Sequence, residues 1–171
     1  MTEFRVWHAS RDAYHCAYRM VRLLDATGDG MQIERLRILD MFLLYPSLLH
    51  RMSLPNELKR QVREIEAARP ERSFVRLPSI ASVWQDLRIY QSAALQHLAG
   101  RGLLRRELLL SRGAMLLGSA VPPEVLRSAR HANEAQHDLV AFLVEGLFSL
   151  PDGGKGGLIQ RARLPARGPV L

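Results

Sequence analysis

Four groups of residues in this 171-residue chain have types that could do chemistry. Asp12, His15 and Arg19 fall on one helical face at three-four spacing, with Cys16 beside them. A metal site here would need more ligands. Zinc normally takes four, and Cys16 is the single cysteine, so no Cys-x-x-Cys partner exists. These residues are expected to form a structural polar cluster that fixes how the helix packs, with His15 able to add pH dependence. The second group is His131, Glu134, His137 and Asp138. His131, Glu134 and Asp138 share a helical side, but the histidines are six residues apart rather than the four of His-Glu-x-x-His. A solvated polar face is the better account. In Gly153-Gly-Lys155-Gly-Gly157, a phosphate loop would need Ser or Thr after the lysine, and Gly156 stands there instead. No Gly-x-Ser-x-Gly elbow, paired-carboxylate arrangement or dinucleotide fingerprint appears, and His8, His50 and His97 are isolated. The expectation is no enzyme: no catalytic residue, no cofactor and no metal.

The fourth group is basic. The formal charge is +7, and all but Lys59 and Lys155 of the 24 basic residues are arginine. Arginine grips phosphate and carboxylate bidentately and tolerates desolvation, which suits a nucleic-acid or acidic-protein partner, although a GC-rich genome gives the same bias. Between positions 69 and 112, Arg69, Arg72, Arg76, Arg88, Arg101, Arg105, Arg106 and Arg112 face only Glu71, Asp86 and Glu107. Arg76, Arg88, Arg101, Arg105, Arg106 and Arg112 are the candidate DNA contacts, with Gln85, Gln91 and Gln96 beside Arg88. The contact would be mostly independent of base sequence, and the competing reading is a solvated face beside a protein interface.

Helical periodicity places elements around these groups. A helix is predicted over 12–24 with Ser10 as candidate N-cap, ended by Ala26-Thr-Gly-Asp-Gly30. A second, over 32–45, is apolar nearly all round. A charged helix follows over 57–68, and a long one over 79–99 is stopped by Gly100 and Gly102. The stretch from 69 to 78 holds two prolines and reads as a loop. Two short apolar strands, 106–110 and 114–117, are predicted around the Ser111-Arg-Gly113 turn. Pro122-Pro123 opens a helix over 124–147. A short strand at 4–7 is a further expectation. The fold class is therefore mainly α: a winged helix-turn-helix with a small β-hairpin wing and additional packing helices. The domain reading is one compact unit over 1–150 and a basic Gly/Pro-rich tail over 151–171, loose or ordered only on a partner. The start lacks a signal-peptide apolar region and no run approaches a membrane span, so the protein is expected to be cytoplasmic and without membrane contact. Apolar excess on the first, second and last helices suits a subunit interface, including a homodimer.

The run Trp7-His-Ala-Ser-Arg-Asp-Ala-Tyr-His-Cys-Ala-Tyr-Arg19, with Glu34-Arg-Leu-Arg-Ile-Leu-Asp-Met-Phe-Leu-Leu-Tyr-Pro46, the Gly-Leu-Leu wing entry and the segment 133–142, resembles the middle component of ABC-three-component systems. That resemblance covers most of the chain. It implies a non-enzymatic accessory subunit of bacterial antiphage or anti-plasmid defence of the Lamassu type. Its implied partners are an SMC-like coiled-coil ATPase and an effector subunit, with DNA as a further contact. A different class, a stand-alone winged-helix transcription regulator, is the alternative.

Overall fold

The computed structural model describes residues 8–69 and 78–165. The predicted strand at 4–7, together with Arg72 and Arg76, lies outside them. Eight α-helices occur among the described residues: α1 (Ala13–Thr27), α2 (Ile33–Leu44), α3 (Asn56–Glu64), α4 (Ile80–Gly100), α5 (Arg106–Leu110), α6 (Pro123–Ala135), α7 (His137–Val144) and α8 (Leu158–Arg161). A two-stranded antiparallel sheet, β1 (Met31–Gln32) with β2 (Gly113–Ala114), pairs Met31 with Ala114 and Gln32 with Gly113. The chain is mainly α with this small sheet.

Helix α1 lies at the centre, with α2, α4, α6 and α7 packed on it. Its start is capped by Asp12, whose carboxylate accepts from the backbone N–H groups of Tyr14 and His15 at 2.8 and 3.1 Å. Ser10 is therefore not the cap; its own N–H goes to the His8 ring in the turn before the helix. The carboxylate at position 12 reaches two orphan donors at once and suits the positive helix end better than a hydroxyl. At the other end Gly28 adopts φ +72°, and its N–H closes onto Leu24 O. Helix α2 is buried nearly all round, from Leu36 through Leu43. No described helix is long and apolar enough to cross a membrane.

Three further expectations are corrected. The apolar run 106–110 is helix α5, not a strand. Five residues hold too little periodicity to distinguish the two, and the structure resolves it by tucking Leu108 against Gly30 and Gly113. A Cβ on Gly30 would stand 3.1–3.2 Å from Met115, Ala114 and Leu108, so glycine allows that approach without displacing them. The antiparallel pairing instead joins 103–105 to 115–117, through a Leu104–Leu116 bridge and hydrogen bonds from Arg105 N to Met115 O and from Leu117 N to Leu103 O. Second, the helix predicted over 124–147 breaks at Gln136, where φ is −124°. Third, residues 151–165 are not loose: Leu158, Ala162 and Leu164 are buried in the core. Arg35 holds that segment to α2, its Nε donating to Asp152 and its Nη2 to Leu150 O, with Nη1 on Leu147 O at 3.1 Å.

Candidate functional site

Two arrangements of charged residues dominate the molecule: a buried junction and an exposed tip. The junction forms where α1, α2 and α4 meet. Asp40, in the apolar middle of α2, is fully buried and accepts from four donors. Arg19 donates through Nε at 2.7 Å and Nη2 at 3.3 Å, Gln91 Nε2 donates at 2.8 Å, and the Cys16 thiol donates at 3.5 Å. An isolated carboxylate at such a position would be prohibitive, and one guanidinium with two further hydrogen bonds, from Gln91 and Cys16, makes it tolerable. Gln91 continues the network, donating to Arg37 O at 2.9 Å while Arg37 Nε donates to Gln91 Oε1 at 3.0 Å. The Arg37 guanidinium lies 4.5 Å over the Trp84 ring, a cation–π contact that stands beside its buried Nη2, which has no hydrogen-bond partner. Burial lowers the Arg37 pKa, against which Glu34 raises it.

Of the predicted cluster, Arg19 is at the centre of this junction. His15 meets it from one turn below: Arg19 Nη1 lies 2.8 Å from His15 Nδ1, and since a guanidinium only donates, that nitrogen is the acceptor. Burial first, and then the Arg19 charge, lower the His15 pKa. Asp12 belongs to the helix cap instead. Burial, reinforced by the Asp40 charge, pushes the Cys16 thiol pKa up and leaves it a weak nucleophile. The Arg19–Asp40 pair therefore has the chemistry of a clamp: its two charges are matched and enclosed.

A second clamp joins α1 to the break between α6 and α7. Arg22 donates to Asn133 Oδ1 at 2.9 Å, Ala132 O at 3.2 Å and Gln136 Oε1 at 2.8 Å, while Asn133 Nδ2 returns a bond to Arg22 O at 3.0 Å. The guanidinium reaches one backbone carbonyl in the last turn of α6, Ala132 O, and two side-chain amides beside it, a favourable place for a cation at a helix C-terminus. Arg130 adds a bidentate pair with Asp25, both bonds at 2.9 Å.

The exposed tip is built on α5. Arg101 ends α4, Arg105 and Arg106 open α5, and Arg112 lies in the turn after it; all four are exposed and none is in an ion pair with a described residue. Arg112 takes φ +60°, a conformation that an arginine adopts at a cost. Arg88 stands apart: it is thirteen residues before Arg101 on the same helix, about 20 Å along the axis. It faces the Arg37 region, where its charge acts on Arg37. Gln85 and Gln96 are exposed, whereas Gln91 is buried in the junction and reads no base. His131, Glu134, His137 and Asp138 are all exposed, and among the described residues no three His, Cys, Asp or Glu side chains gather as a metal site would require.

Residues 5–167 match the family described as ABC-three component (ABC-3C) system Middle Component 5. The chain belongs to this family. No curated protein and no solved structure matches it. As a middle component the protein has an accessory role in a system of several parts, and the other components of that system are its partners. Sequence reasoning about this middle component missed Asp40, Arg37 and Arg22, and read Gln91 as a nucleic-acid contact rather than a junction residue. A signal for the first was present: a lone carboxylate between Leu39 and Met41, in a helix apolar on every side, must find a cation in the core.

Proposed function

We propose that this middle component is a non-enzymatic adaptor of its three-component system. It docks on an SMC-like coiled-coil ATPase, relays to an effector subunit, and touches DNA without reading sequence, in the cytoplasm, as part of antiphage or anti-plasmid defence. The observation that supports the DNA contact is the α5 tip, where Arg101, Arg105, Arg106 and Arg112 project with no ion-pair partner among the described residues. Exposed guanidinium groups suit phosphates, whose bidentate geometry they match. The buried Arg19–Asp40 pair favours a scaffold over a reaction centre, because the carboxylate is already held by Arg19 and Gln91.

The experiment is a salt titration of duplex binding by the full chain. Each phosphate contact contributes about 0.9 to the slope of log K against log salt, so Arg105→Gln with Arg106→Gln should flatten the slope by roughly two units on any duplex sequence. An unchanged slope overturns the contact. Co-purification with an SMC-like coiled-coil ATPase of the same system tests the adaptor role. The second reading, a stand-alone winged-helix regulator, draws on the pairing of 103–105 with 115–117. It requires a discrete footprint on one DNA sequence by the isolated chain.

A further inference from the structure

A cleft of about 600 Å³ opens between α3 and α7. Its floor is apolar: Ile65 and Phe142 are 4% and 5% exposed, and Ala141 lies beside them. Its rim is acidic, formed by Glu64, Asp138 and Glu145. Asp138 lies 3.7 Å from the His137 ring, and Glu64 and Glu145 are in no ion pair with a described residue. Three carboxylates around one apolar cleft are notable in a chain whose net charge is +7.

The complementary shape occurs on the same chain. Leu110, at the end of α5, is 91% exposed, more than any other large apolar side chain among the described residues. Arg105, Arg106 and Arg112 surround it in sequence, and all are exposed. A Leu side chain presented to water gains by entering an apolar floor, and flanking arginines gain by meeting a carboxylate rim. At that exposure, Leu110 is not covered by its own molecule's cleft.

We propose that the Leu110 tip of one copy seats in the α3–α7 cleft of a second copy, placing Arg105 and Arg106 against Glu64 and Glu145. Because two different surfaces meet, the contact is heterologous and propagates head to tail until a ring closes. The tip is a five-residue helix and its turn, so the area buried falls at the weak, transient end of specific interfaces, and the association depends on concentration and salt. The contact stands apart from the DNA reading, although the same arginines serve both.

Sedimentation of the full chain without DNA tests this. At low salt the average mass should rise with protein concentration, and at high salt it should return to the monomer. Arg105→Glu with Arg106→Glu reverses the tip; Glu64→Arg with Glu145→Arg reverses the rim. All four positions are exposed, so both variants keep the fold. Each alone should weaken self-association at least about tenfold, because attraction at two exposed pairs becomes repulsion. Mixed together, the reversed tip of one variant fits the reversed cleft of the other and the native tip of the second fits the native cleft of the first, so head-to-tail association should return with the two variants alternating. Ala141→Trp, which fills the cleft and leaves the charges in place, should abolish association. A chain that stays monomeric at low salt, a mixture that fails to associate, or association that survives Ala141→Trp overturns the proposal. Each of these results leaves the duplex titration to be decided separately.

Discussion

Replacing Asp40 by Asn isolates the charge at the buried junction, since the side chain keeps its volume and one acceptor. Arg19 is 2% exposed and Asp40 is fully buried, so the variant leaves a guanidinium in the core without its counter-charge. Removing one partner of a buried pair costs about 3–5 kcal/mol, and domains of this kind have about 5–15 kcal/mol in all. At 2–4 °C per kcal/mol for a chain of this size, Tm should fall by roughly 6–20 °C. The companion variant removes both charges, Arg19→Met with Asp40→Leu. With no charge to desolvate, most of the loss should disappear, apart from about 1–3 kcal/mol for the Gln91 amide hydrogen that loses Asp40. Guanidinium unfolding followed by circular dichroism, with slopes compared to confirm the same exposed surface, gives both values. If Asp40→Asn costs under about 1 kcal/mol, or the double variant loses the sum of the two single changes, the junction is not the clamp described here.

His15 should make stability depend on pH. Its pKa is lowered by burial and by Arg19, so between that value and its ordinary 6.5 the unfolded chain binds more protons. Stability from this group is full above 6.5 and declines as pH falls through the window below; His15→Gln should flatten that decline, and equal slopes for both proteins would refute the assignment. At Arg112, glycine should relieve about 1–2 kcal/mol of left-handed strain against 0.5–1 kcal/mol for its extra freedom when unfolded. Arg112→Gly should therefore raise stability by about 0.5 kcal/mol while lowering the salt slope of DNA binding by roughly one unit. A loss of stability, or an unaltered slope, would contradict the tip as drawn.

What was legible in the residue order was whatever local physics governs. Apolar spacing located α1, α2, α3 and α4 because a helix must bury one stripe whatever lies opposite. Gly28, Gly100 and Pro123 marked ends through backbone limits that need no partner. The face shared by His15 and Arg19 followed from helical geometry alone. Other features depended on partners distant along the chain. The acid that Arg19 meets is twenty-one residues away, and the donors beside the end of α6 are offered by Arg22, more than a hundred residues earlier. Neither distance is encoded in a local period. The same holds for α5, where five apolar residues fit strand and helix equally until Gly30 makes room for Leu108. It holds for residues 151–165, whose glycines suggested looseness until α2 supplied Arg35 and the core received Leu158. Periodicity and caps follow from neighbours a few bonds apart, whereas the pairing of buried charges and the choice for a short apolar run are energies of the packed whole.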